Sequence, residues 1–297
     1  MDTTDVTALL PGLLADAGLP NNPVRQPIRV WARSGVERLT FPRATSVVFK
    51  YAEAPFDRED HALGIAAAAG LPVPAVHAAR HTERLLGMLI EDLGEPVREA
   101  DDLDGATAAV QIHRVAAQGL PRLGEAELSA LPQKIARRLA RYGATDDAHS
   151  AATALTRAAD VRAKGAELPP FGLVHSEFHP TSLHVNASGL RVLDLARAFT
   201  GPGLLDLASW HGTTSAPDTD RTHTLISSYV RAGGLAAEVL AERGGLDVAS
   251  WALGWHRVWV AEWFTQQIGL GWAEGAEDRW TTVITRHVLD AAELLNV

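Results

Sequence analysis

Hydrophobic and polar positions change rhythm twice along the chain. Three short β-like runs, 28–31, 36–40 and 45–51, are separated by the polar turns Arg33-Ser34-Gly35 and Pro42-Arg43-Ala44. Connections this short predict an antiparallel meander. Before it, 6–17 places Leu9, Leu10, Leu13 and Leu14 on one side of a helix, with Pro11 inside it or at its start. Residues 20–27 form a Pro- and Asn-rich connector. After the meander, 57–69 predicts a helix capped by Asp57, with Glu59 and Asp60 in its first turn and Ala62, Leu63, Ile65, Ala66 and Ala69 as its apolar face. Gly70 and Pro72 stop it. Two further strands are predicted at 73–79 and 85–90, followed by the polar turn Glu91-Asp92-Leu93-Gly94-Glu95. From Leu103 the period becomes helical, with helices over 103–117, 125–144 and 147–163. The C-terminal third is helical as well. There Trp251, Trp255, Trp259 and Trp263 recur at every fourth position along a slowly rotating ridge.

One stretch breaks this helical half. Leu173 and Val174 follow the turn formers Pro169, Pro170 and Gly172, and lead into the polar run His175-Ser176-Glu177-Phe178-His179-Pro180-Thr181-Ser182. Two short apolar strands, 183–185 and 191–193, then flank Asn186-Ala187-Ser188-Gly189, a turn signal. The hairpin presents His175, Glu177, Ser182 and Asp194 on loops and strand ends. Carboxylates gathered there either hold a divalent cation or act as a base.

Composition narrows the function classes. The chain has 297 residues, 46% of them hydrophobic, enough for one large domain or two lobes. A net charge of −9 argues against nucleic acid as a partner. No run approaches the ~18 to 20 apolar residues of a membrane span, and the N-terminal Met1-Asp2-Thr3-Thr4-Asp5 has no basic, signal-like region. The expectation is a soluble, cytoplasmic protein. Cysteine is absent, which excludes disulfides and thiolate metal sites. Lysine occurs only at Lys50, Lys134 and Lys164 in an arginine-dominated chain, so the compact ammonium at the end of the third β-run is informative. No Gly-x-x-x-x-Gly-Lys-Ser/Thr element is present, which excludes a P-loop enzyme at the motif level. His175-x-x-x-His179 around Glu177 invites a zinc hydrolase, but Pro180 cuts any helix short and the order is not His-Glu-x-x-His.

Taken together, His175 to Ser182 and Val192-Leu193-Asp194 resemble the His-x-Asp-x-x-x-x-Asn and downstream Asp motifs of the aminoglycoside phosphotransferase and choline kinase-like family, a branch of the protein-kinase-like fold. Two positions depart from the pattern. Glu177 stands where the family has its catalytic Asp, and Ser182 where it has a metal-binding Asn. Thr200-Gly201-Pro202-Gly203-Leu204-Leu205-Asp206-Leu207-Ala208 resembles the family's Gly-Asp-Pro-x-x-Asp-Leu-Ala segment, and Gln111-Ile112-His113 its helix ending in Leu-His.

The resemblance implies an α+β, bilobal fold: a small β-rich nucleotide-binding lobe over 1–93 and a larger helical lobe over 94–297 carrying the catalytic hairpin and substrate site. It implies that Lys50 holds the α- and β-phosphates of ATP or GTP and pairs with Glu59. By the same resemblance Ser34 and Gly35 lie in the turn over the phosphates, and Glu91 and Leu93 belong to the hinge that bonds the purine through backbone. It likewise implies that Asp194 and Ser182 bind Mg2+ and that Glu177, with His175 in the same motif, accepts or orients the proton of the substrate hydroxyl. Glutamate carries its carboxylate about 1.5 Å further than aspartate, and serine is a shorter metal ligand than asparagine. Asp206 is expected to cap the next helix and tether the catalytic loop, and His113 to pack. The implied reaction moves the γ-phosphate to a hydroxyl of a small molecule, within this family most often an antibiotic. A nucleotide-binding pseudokinase and a kinase of a primary metabolite remain as alternatives. The tryptophan stripe is expected in the core, with one or two indoles free to stack on a ring-bearing substrate. Glu262, Asp218 and Asp220 are candidates to meet amines.

Overall fold

In the computed structural model, residues 3–42, 45–141 and 144–297 are described. The predicted turn at Arg43 and Ala44, and Tyr142 and Gly143 in the helix expected over 125–144, lie outside them, as do Met1 and Asp2. The chain divides into two compact units, Met1–Ala100 with Thr181–Ala198, and Asp101–Pro180 with Phe199–Val297.

The first unit is built on a five-stranded antiparallel sheet. Its strands are β1 (Val24–Val30), β2 (Ser34–Thr40), β3 (Ser46–Glu53), β4 (Val76–His81) and β5 (Leu85–Glu91), in the order β1-β2-β3-β5-β4. Helix α1 (Thr3–Asp16) runs through Pro11, forgoing the one amide bond proline cannot make, and packs on β4 and β5. It can lie close because β5 carries Gly87 there. A Cβ at that position would come within 3.1 Å of the Leu9 and Leu13 side chains. Leu9, Leu13, Leu39, Phe49 and Leu89 form the core beneath the helix. Strand alternation sends Phe49 and Tyr51 to this face and leaves Lys50 on the other. Helix α2 (Glu59–Ala68) starts at Arg58 with no side-chain cap, so Asp57 does not cap it. Its buried residues are Glu59, Ala62, Leu63 and Ala66, while Ala69 is exposed. The predicted hairpin is present as β7 (Leu183–Asn186) and β8 (Gly189–Val192) and belongs to this unit. It is fastened by Val97 N–H to Val185 O at 2.9 Å and by Val192 N–H to Pro72 O at 2.8 Å.

The second unit is mainly helical. Helix α3 (Asp102–His113) opens with a capping box between Asp101 and Asp104. The single helix expected over 125–144 is two, α4 (Glu125–Ser129) and α5 (Leu131–Leu139). Pro132, in the first turn of α5, has no amide to continue the bonding of the helix before it. Helix α6 (Asp146–Arg162) follows. Strand β6 (Phe171–Val174) pairs antiparallel with β9 (Phe199–Pro202), a strand not assigned from the sequence. Helices α7 (Leu204–Ser209), α8 (Thr219–Arg231), α9 (Ala236–Val239), α10 (Val248–Gly269) and α11 (Glu277–Leu294) complete the unit.

The tryptophan stripe lies on α10. Trp251 and Trp255 are fully buried, and both indole N–H groups donate to Arg162 O, at 2.8 and 3.0 Å. One carbonyl left over at the end of α6 thus satisfies both donors. Trp259 and Trp263 are half-buried. Among the described residues no helix is long and apolar enough to cross a membrane.

Between α10 and α11 the interior is polar. His256 and His287 are buried, and among the described residues neither has a hydrogen-bond partner on its ring nitrogens. Burial, then the charge of Arg257, lowers His256 from 6.5 to about 3, and the same causes with His256 and Arg286 lower His287 to about 2. Both rings are neutral in the folded protein and must remain so. The folded values lie below the unfolded ones, so the stability that these groups contribute is fully present above about pH 6.5 and is lost as pH falls below it. Urea unfolding between pH 5 and 7.5 should show stability rising with pH, and the variant H256L/H287L should flatten that slope. An unchanged slope would show that these rings do not titrate on unfolding.

Candidate functional site

The first unit carries a three-member charge cluster. Lys50 faces Val36 on β2 and Met88 on β5 across the sheet. Its Nζ lies 2.6 Å from Glu59 Oε2 in the first turn of α2 and 2.7 Å from Asp194 Oδ1 just past β8. The lysine side chain is 12% exposed, that of Glu59 2%, and that of Asp194 47%. Burial by itself would lower the Lys50 pKa, but the two carboxylates outweigh it and hold the ammonium well above its ordinary value. Burial pushes Glu59 upward, and the Lys50 charge offsets this only in part. Asp194 adopts φ +61°, uncommon for a residue with a side chain. The loop that puts it there is fixed by Leu193 N–H to Ser182 O at 2.8 Å. Ser182 ends a short 3-10 turn, Pro180–Ser182, and is 2% exposed.

The second unit carries the His175–Pro180 loop, extended from β6 and anchored on α7. Asp206 lies inside the first turn of α7 rather than at its cap, which is Gly203. Its Oδ2 accepts the His175 amide at 2.8 Å, and its Oδ1 the Ser176 amide at 2.9 Å. Ser209 Oγ donates to Phe178 O at 2.7 Å. Phe178 packs against Trp210, ring centroids 4.9 Å apart, and Trp210 donates to Asp102 Oδ1 at 2.8 Å. Trp210 lies over Gly105, where a Cβ would come within 2.5 Å of the indole. This anchoring holds Ser176 at φ +79°. His175 is fully buried, and its Nδ1 receives the Glu177 amide at 3.4 Å, a weak bond that places the imidazole inside the loop. Glu177 itself is half-buried.

The remaining expected residues are dispersed around these two centres. Ser34 closes the β1–β2 turn, its carbonyl accepting Trp31 N–H at 2.8 Å, and Gly35 already belongs to β2. Gly35 has a packing reason to lack a side chain, since a Cβ would meet the Tyr51 ring at 2.3 Å. Glu91 ends β5; its amide donates to Ala75 O at 2.8 Å and its carboxylate accepts Ala75 N–H at 3.2 Å. Leu93 is half-buried in the turn after it, where Asp92 grips Arg38 at 2.7 Å. Asp218 caps α8 by accepting Arg221 N–H, and Glu262 pairs with Arg138 at 2.5 Å. Both carboxylates therefore have structural partners. His113 also departs from simple packing. It hydrogen-bonds Asp206 and Tyr229, a partner 116 positions away that no local pattern marks.

A five-stranded antiparallel sheet bearing a lysine paired to a helix glutamate, with a helical unit whose loop is gripped by an aspartate, has the protein-kinase-like fold. The model of the phosphotransferase enzyme family (APH) matches residues 30–246, and the chain belongs to that family. Solved structures of similar fold include a macrolide 2′-phosphotransferase from Brachybacterium faecium, at 17% identity and a TM-score of 0.65 over 93% of this chain and 97% of that one. A choline/ethanolamine kinase family protein from Mesorhizobium loti is 15% identical with a TM-score of 0.63, covering 99% of this chain and 100% of that one. An amicoumacin kinase in complex with AMP-PNP and Ca2+ is 13% identical with a TM-score of 0.59, over 97% and 96%. No curated protein matches the chain significantly.

The charge cluster makes a thermodynamic prediction. Lys50→Met leaves Glu59 buried without its cation and should destabilise the protein by about 3 to 5 kcal/mol. The double variant K50M/E59L, which removes both charges, should recover most of that loss in urea unfolding. Additive losses in the double variant would show that the pair is not coupled.

Proposed function

We propose that the protein transfers the γ-phosphate of ATP or GTP to a hydroxyl of a small molecule, and that an antibiotic is the best-supported acceptor class. The observation that carries this reading is the Lys50–Glu59–Asp194 cluster in a member of a phosphotransferase family. In the absence of nucleotide, Asp194 and Glu59 share one ammonium. With nucleotide, Lys50 donates to phosphate oxygens while Glu59 keeps it oriented. The donor set suits a magnesium ion. Asp194 offers a half-exposed carboxylate, Ser182 is the nearby hydroxyl candidate, and both are oxygen donors. Among the described residues no group of three His, Asp or Glu forms a ready-made metal cage. A magnesium ion bound with a nucleotide takes much of its coordination from phosphate and water. When bound, such an ion neutralises charge on the β- and γ-phosphates.

Glu177 accepts or orients the proton of the attacking hydroxyl. The loop beneath it is held by Asp206 and Ser209, which keeps a carboxylate one methylene longer than aspartate in a single register. His175, enclosed in the loop, acts as a support for the Glu177 amide and not as an acid or base. With the Glu91 amide committed to Ala75, base recognition there falls to its carbonyl and to the backbone of Leu93. The macrolide and amicoumacin kinases among the structural neighbours favour a hydroxyl-bearing antibiotic as acceptor. The placement of Glu262 and Asp218 in structural pairs points away from a polycationic one.

A panel of hydroxyl compounds with γ-labelled ATP and GTP tests the reading. The native chain should label at least one compound, and Glu177→Ala should lower kcat by about 10²- to 10⁴-fold with the nucleotide KM little changed. Equal labelling by both proteins would remove Glu177 from the chemistry. Magnesium-dependent nucleotide binding with no labelled product across the panel would instead favour a binding protein of the same fold.

A further inference from the structure

Asp206 is gripped from behind as well as gripping the loop in front. The Oδ2 that accepts the His175 amide also lies 3.3 Å from His113 Nε2. On the far side of that imidazole, Nδ1 is 3.1 Å from the Tyr229 hydroxyl. Three side chains from α3, α7 and α8 thus form one buried chain, with Tyr229 3%, His113 5% and Asp206 0% exposed. The ring is closely packed on its Gly203 side. A Cβ on Gly203 would sit 2.5 Å from its Cγ and Nδ1, so the imidazole rests on bare backbone at the start of α7.

A neutral imidazole has one N–H and one lone pair, and the partner of one nitrogen decides the state of the other. Burial, then the opposing effects of Arg114 and Asp206, leaves the Tyr229 hydroxyl pushed up to about 12. It therefore keeps its proton, which it can donate. If Nδ1 accepts it, the ring's own proton sits on Nε2 and points at Asp206. The opposite tautomer would set a lone pair against a carboxylate oxygen, leaving two buried acceptors facing each other.

We propose that Tyr229 is a positioning residue: by donating to His113 Nδ1 it fixes the Nε2–H tautomer, and through that N–H it holds the Asp206 carboxylate that fastens the amides of His175 and Ser176. The effect reaches Glu177, the next residue in the loop, and in that respect it rests on the proposed role of Glu177. Removing the hydroxyl does not simply leave a gap. His113 and Tyr229 line a cavity of about 160 Å³ together with Val110, Arg114, Pro170 and Phe171, which has room for a water at Nδ1. Water both donates and accepts, so it removes the preference set at Nδ1 and leaves Asp206 alone to select the tautomer.

Two measurements test this without phosphotransfer. Nitrogen-15 NMR of histidine-labelled protein should show His113 protonated at Nε2 alone, and Tyr229→Phe should admit a detectable share of the Nδ1–H form. Hydrogen exchange at the amides of His175 and Ser176 should then accelerate by roughly tenfold, with the Leu173 amide, which bonds Val115 O, unchanged. Gly203→Ala, which pushes the ring without removing a hydrogen-bonding group, should reproduce the faster exchange. In turnover, Tyr229→Phe should lower kcat by roughly tenfold with both KM values unchanged. A wild-type ring protonated at Nδ1, alone or together with Nε2, would overturn the proposal. So would unaltered exchange at 175 and 176 in Tyr229→Phe. Failure of the kcat arm with the exchange arm intact would refute the transmission to Glu177 while leaving the tautomer lock standing.

Discussion

A carboxylate buried in the first turn of α2 is the constraint around which the first unit is arranged. At 2% exposure Glu59 keeps its charge only if a cation meets it. The only lysine on the sheet supplies one, and strand alternation aims it away from the core that Phe49 and Tyr51 fill. The third member, Asp194, is supplied by a hairpin distant in sequence but packed into the same unit. Of the three, Asp194 alone has a half-exposed side chain, which is why it is the member proposed to leave the ammonium for a metal ion.

The second unit solves a different problem, which is to keep a short polar loop in an uncommon backbone conformation. Ser176 at φ +79° is held because both adjoining amides end on one buried carboxylate. That carboxylate is stable in the interior because it accepts two amides and faces an imidazole N–H. Glycines make the approach possible. Gly203 lets the His113 ring lie against α7, and Gly105 lets Trp210 close on α3. Neither takes a positive φ, so what these positions require is the absence of a side chain and not a special backbone.

Much of this was legible from residue order. The hairpin from Leu183 to Val192 announces itself because two short apolar runs enclose an Asn-Ala-Ser-Gly turn. Lys50 and Glu59 could be paired in advance through the family resemblance, in which a helix glutamate meets the strand lysine, and the structure places them 2.6 Å apart. What escaped was non-local. Strand β9, rich in Gly and Pro, carries no strand pattern of its own and pairs with the distant β6. Helix α5 begins where Pro132 interrupts a pattern that otherwise looks continuous. The partnership of His113 and Tyr229 spans 116 positions, and no periodicity connects them. Asp57 looked like a cap on composition alone, but the backbone enters α2 at Arg58 without a side-chain cap.

The central claim is that Asp194 exchanges its hold on Lys50 for a magnesium ion at a triphosphate. Calorimetric titration with AMP-PNP, with and without magnesium, tests it most directly in the native chain and in Asp194→Asn. The account predicts that magnesium strengthens nucleotide binding to the native protein and has no such effect on the variant, which still binds the metal-free nucleotide through Lys50. The same magnesium dependence in both proteins would contradict it.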